Sequence, residues 1–73
     1  MPRMTFRERR RAAAQRRLDR TLSRAVEVGA MTQTEANEMK AEVGVAGYLV
    51  IIEMILMIVQ IIADYFKERD DEE

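Results

Sequence analysis

Cysteine, histidine and tryptophan are all absent from this 73-residue chain. Without Cys there can be no disulfide, and without Cys or His the common zinc and thiol sites are excluded. Proline occurs once and glycine three times. Three scattered glycines make no phosphate cradle, and no internal repeat or low-complexity linker is visible. No pattern of residues suggests a nucleophile beside its base, so an enzyme is not expected, nor a cofactor, metal or small-molecule substrate. A chain this short rarely buries enough core to be comfortably stable alone. Support is expected from lipid, from other copies or from a partner.

Net charge is also nearly lacking, at −1, but the distribution is lopsided. Nine arginines and only two acids, Glu8 and Asp19, fall between Met1 and Ala25. Lys67 to Glu73 carry two bases and five acids. This asymmetry is more informative than the total. The apolar run lies toward the C-terminal end, so a secretory signal is not expected.

What is present reads as an all-α chain in four parts. Residues 1–30 hold a basic amphipathic helix. Thr5 with Glu8 fits a capping box, in which hydroxyl and carboxylate satisfy each other's orphan backbone donors. Phe6 to Val28 contains no Pro or Gly and is rich in good helix formers. Ala14, Leu18, Leu22, Ala25 and Val26 form a narrow apolar stripe at helical spacing. Gly29 stands where a left-handed C-terminal cap is wanted. Residues 31–42 hold a short second helix, opened by a capping box of Thr32 and Glu35, with Met31 and Ala36 at the staple positions. The short connection predicts a hairpin or a sharp bend. Residues 43–66 form a long apolar helix, expected to be a single-pass transmembrane helix, and residues 67–73 an acidic tail. Gly44 and Gly47 are possible bending points where the second helix meets the third.

The stretch Leu18 to Val43, with a helix, then Gly29, Met31 and Thr32, then Glu35 with Ala36, then Lys40, resembles the short helical hairpin of SHOCT modules. The resemblance covers about a third of the chain. It implies oligomerisation or interaction, not catalysis. Met31 stands where that family prefers Ile, and the segment after Val43 has no counterpart in the module.

At about 1.5 Å per residue the 24 residues from Val43 to Phe66 extend ~36 Å, enough for a hydrocarbon layer of ~30 Å. About a dozen Ile, Leu, Val and Phe residues contribute roughly −0.3 to −0.6 kcal/mol each to insertion, against roughly +2.5 to +3.5 for one central charge. The balance favours insertion. Tyr48, Tyr65 and Phe66 lie near the two ends, where interfacial aromatics are found. The rival reading is a water-soluble helix buried between chains of an assembly.

On a helical wheel Glu53, Met57, Gln60 and Asp64 share one face, with Ala46 and Lys67 close to it. Ile51, Ile55, Ile58 and Ile62 occupy the opposite face, which suits lipid or an apolar wall. An ionisable residue at bilayer depth faces a bundle interior or a wet cavity, with a partner. Glu53, Met57, Gln60 and Asp64 are therefore the candidate helix-packing stripe, with Gly44, Ala46 and Gly47 as candidate close-packing positions. The expected partners are other membrane helices, of the same chain or of a larger complex. Arg7, Arg9, Arg10, Arg11, Arg16, Arg17, Arg20 and Arg24 are candidates for contact with phosphate, most readily anionic lipid headgroups and less readily nucleic acid. The excess of bases before the apolar helix favours a cytoplasmic (or virion-interior) N-terminus and a short acidic C-terminus on the far side.

Three functions are consistent with these features. The first is a structural or accessory subunit of a larger membrane assembly, homo-oligomeric or hetero-complex, with a viral assembly among the candidates. The second is a membrane-permeabilising or ion-conducting oligomer of holin type. The third is a soluble helical component of a nucleoprotein or virion assembly.

Overall fold

The computed structural model describes the backbone of residues 5–71 and the side chains of residues 5–69. Glu72 and Glu73, at the end of the acidic tail, and Met1 to Met4 lie outside the described residues. Three helices follow one another: α1 (Phe6–Glu27), α2 (Gln33–Val43) and α3 (Tyr48–Asp71).

Local chemistry sets the limits of α1 and α2. The Thr5 side chain accepts from the Glu8 N–H at 3.2 Å, and the Thr5 N–H donates to the Glu8 carboxylate at 3.3 Å. Thr32 and Glu35 make the same reciprocal pair at the start of α2. At the end of α1, Gly29 adopts φ +87°. The Gly29 N–H donates to the Val26 carbonyl, and the Ala30 N–H to the Ala25 carbonyl at 2.9 Å. That is the Schellman arrangement, which satisfies carbonyls the helix would otherwise leave bare. A side chain at Gly29 would also crowd Tyr65, whose hydroxyl oxygen lies 3.1 Å from the position of an added Cβ.

α2 turns back along α1, so the first 43 residues contain a helical hairpin. The next connection reverses direction again. Arg10 and Arg11 near the start of α1 contact Tyr48 and Ala46 near the start of α3. Gly29, just past the end of α1, meets Tyr65 near the end of α3. α1 and α3 therefore run parallel, with α2 as the return stroke between them. The molecule is an elongated body of 56 × 20 × 16 Å.

The core lies mainly between α1 and α3. Ala14, Leu18, Leu22 and Ala25 of α1 are buried with Ile51, Met54, Ile55 and Ile58 of α3. Met31, Ala36 and Val43 close it from the hairpin side. Leu18, Leu22, Ile51 and Ile58 are the largest fully enclosed side chains together with Val43. Full burial of each contributes about 1.5–3 kcal/mol.

The apolar helix begins five residues later than the sequence suggests and ends later too. Val43 closes α2, Gly44 caps it in helical geometry, and residues 44–47 form a turn. Beyond Phe66 the helix continues through the exposed Lys67, Glu68 and Arg69, residues of good helix propensity, to Asp71.

Candidate functional site

Two surfaces carry the residues singled out by sequence: the outer side of α3 and the arginine-bearing sides of α1.

On α3 the covered face is the isoleucine face. Ile51 and Ile58 are fully enclosed by the core, Ile55 nearly so, and Ile62 is half-buried. The apolar wall they meet is α1 of the same chain. The opposite face is open. Glu53, Met57, Gln60 and Asp64 are all exposed, and Gln60 Nε2 donates to Asp64 Oδ1 at 2.9 Å. Apolar residues flank this stripe on both sides. Leu49 is 74% exposed, Leu56 63%, Met57 50% and Val50 48%. No other element of the described chain covers these residues, so the polar stripe and its apolar margins form one continuous uncovered surface.

The stretch Tyr48–Arg69 is long and apolar enough to cross a membrane, and only 22% of its most apolar part is buried within the chain. α1 supplies cover for one side only. Its apolar stripe is one or two residues wide, whereas α3 is apolar around most of its circumference.

Gly44, Ala46 and Gly47 belong to the turn rather than to a helix face. A Cβ added at Gly47 would meet nothing within 4 Å, and one at Gly44 would make an ordinary contact with the Ala41 carbonyl oxygen at 3.4 Å. Within this chain neither glycine permits a close helix approach. The carbonyl of Ala46 has a different use, because it accepts a hydrogen bond from Arg11.

Arg11 stands apart from the other arginines. Its Nε donates to the Ala46 carbonyl at 3.0 Å and its Nη2 to the carbonyls of both Val43 at 3.1 Å and Gly44 at 3.4 Å. Gln15 Oε1 takes a further contact at 3.5 Å. A cation at the C-terminal end of α2 also complements the helix dipole. Arg11 thus fastens the α2–α3 turn to α1 and is not free for phosphate. Sequence spacing gave no sign of this, since the bonded residues are 32 to 35 positions apart.

Arg10 stacks over the Tyr48 ring at 4.4 Å and lies 5.7 Å from the Phe6 ring. Arg7, Arg9, Arg16, Arg17, Arg20 and Arg24 are exposed. Arg7, Arg10 and Arg11 border an open depression with Tyr48 and Leu49 at the start of α3. Among the described residues no cluster of acidic side chains could hold a metal ion.

No protein-family model matches the chain, and no curated protein or solved structure is significantly similar to it.

Proposed function

We propose that this chain is a small, non-enzymatic subunit of a membrane assembly, in which α3 meets lipid and neighbouring helices. The outer surface of α3 carries the proposal. Water suits its exposed Leu49, Leu56 and Met57 badly, and hydrocarbon suits Glu53, Gln60 and Asp64 badly. A neighbouring helix suits both kinds of residue. Interhelical hydrogen bonds of this type are worth about 0.6–2 kcal/mol each. The excess of bases before α3 supports a cytoplasmic N-terminal side, with the acidic tail on the far side of the membrane.

Spanning requires α1 to leave α3. Arginines cannot lie along a helix in hydrocarbon, so the closed chain described above is the form of the subunit outside the bilayer. The isoleucine face released by α1 would then meet lipid.

The chain's lack of cysteine makes the test simple. With Leu56→Cys as the sole cysteine, crosslinking in native membranes should yield dimers or larger species that remain in the pellet after carbonate extraction. Monomer alone, with Glu53→Ala and Gln60→Leu both silent on particle size in detergent, would remove the proposal.

One observation favours a second reading, a soluble helical component of a nucleoprotein or virion assembly. α1 already hides Ile51, Ile55 and Ile58 without any lipid. Carbonate extraction separates the two readings: release into the supernatant supports the soluble one.

A further inference from the structure

Two open depressions follow one another along the α1–α3 seam, on the side away from Glu8 and Asp19, and together outline a shallow crevice. Arg10, Arg17 and Arg24 recur every seven residues, so they lie within roughly 40° of one another on α1, about 10 Å apart along its axis. Arg10 and Arg17 border one end of the crevice with Tyr48 and Ile52. Arg20 and Arg24 border the other with Val59 and Ile62. Glu8 and Asp19 lie about 180° around α1 from the arginine row. Among the described residues, Glu27 borders the crevice beyond Arg24 at its far end, and Glu53 lies at the outer margin of α3, about 40° around the helix from Leu49.

The facing side of α3 is apolar along the same length. Leu49, Leu56, Val59 and Phe66 fall within an arc of about 100° there. Val59 is 50% exposed and Phe66 44%. A row of cations therefore runs beside a row of uncovered aliphatic and aromatic side chains, and the core beneath holds both in place.

We propose that this side of the closed chain is a docking surface for an anionic lipid membrane. Arg17, Arg20 and Arg24 reach headgroup phosphates, while Leu49, Leu56, Val59 and Phe66 enter the boundary between headgroups and acyl chains. Charge and apolarity together select this occupant. Surface-lying helices bind through basic residues on one side and buried apolar area on the other. A nucleic-acid backbone would satisfy the arginines but leave the aliphatic Leu49, Leu56 and Val59 in water, and of the two rings on this side Tyr48 is already covered by Arg10. A second copy would bring another arginine row, with its own α1 acids facing away. Docking uses the closed form and does not depend on α3 crossing the bilayer.

Flotation with phosphatidylcholine vesicles, with and without phosphatidylglycerol, tests the surface on the full-length chain. Binding should require phosphatidylglycerol and weaken as salt is raised. Replacing Arg17→Gln and Arg24→Gln together should lower partitioning about 25-fold, each near-surface cation counting for about a fivefold change. Arg9→Gln with Arg16→Gln, which removes the same charge from the outer side of α1, should lower it by less than about threefold if position rather than total charge matters. All four side chains are exposed, and unchanged helical circular dichroism confirms that both double variants fold. An environment-sensitive dye on Leu56→Cys should shift to the blue on the anionic vesicles. Equal binding to neutral vesicles, equal losses for the two arginine pairs, or an unshifted dye would each overturn the proposal. So would displacement by duplex DNA at the same salt, which would reassign the row to nucleic acid. The outcome is separable from that of the spanning proposal. A docked chain washes off at high salt, whereas a spanning one resists carbonate whatever the arginine variants do.

Discussion

The two sides of α3 are built from similar amounts of apolar residue and have opposite fates. Ile51, Ile55 and Ile58 disappear into the core against α1, while Leu49, Leu56 and Met57 stay open beside Glu53, Gln60 and Asp64. Hydrophobicity alone does not decide which side is covered. The covered side is the one without polar interruptions, because a narrow apolar stripe such as that of α1 can enclose isoleucines but offers no partner to a carboxylate. The open side is too apolar for a helix designed to face water and too polar for one designed to face only lipid.

The sharpest way to break this comparison is to place a charge on the covered side. Ile58→Asp buries an unpaired carboxylate in the α1–α3 core and should cost more than about 3 kcal/mol, read from urea unfolding by circular dichroism. A loss below about 1 kcal/mol would mean that α1 does not cover α3 in solution. The next largest effect is expected at the fastening between the helices. Arg11→Ala removes the donor shared by the Val43, Gly44 and Ala46 carbonyls and should cost about 1–3 kcal/mol. Arg11→Lys should recover less than half of that, since a compact ammonium cannot reproduce the planar fork. The smallest effect belongs to the open side. Glu53→Leu should change the stability of the isolated chain by no more than about 0.5 kcal/mol. A larger change in the same unfolding measurement would show that Glu53 takes part in the fold of the single chain.

The features legible in the sequence are those with a local cause. Both capping boxes, the left-handed Gly29, the apolar stripe of α1 and the division of α3 into an isoleucine face and a polar stripe all depend on residues within one or two turns of each other. The features that were not legible depend on distance along the chain. Nothing in the spacing of Ala14, Leu18 and Leu22 says that they pack in parallel on Ile51, Ile55 and Ile58 after an intervening helix. The role of Arg11 is hidden for the same reason. α3 starts at Tyr48 rather than at Val43 because Gly44 and Gly47 loosen the backbone there, although Val45 and Ala46 are as apolar as helix residues. By sequence alone the arginines of α1 spread around much of its circumference, and the seven-residue spacing of Arg10, Arg17 and Arg24 is one pattern among several. It acquired meaning only when one flank of α1 turned out to be bordered by α3.

Because α1 and α3 run the same way, the start of α1 and the end of α3 lie at opposite poles of a body 56 Å long. A label or fusion carried on the N-terminal side sits beside Tyr48 and the Arg7–Arg10 depression, where it can obstruct approach to that pole. One carried on the C-terminal side emerges past the Gly29–Tyr65 contact and leaves that depression clear. Purification handles and optical reporters on this protein are therefore not interchangeable between its ends.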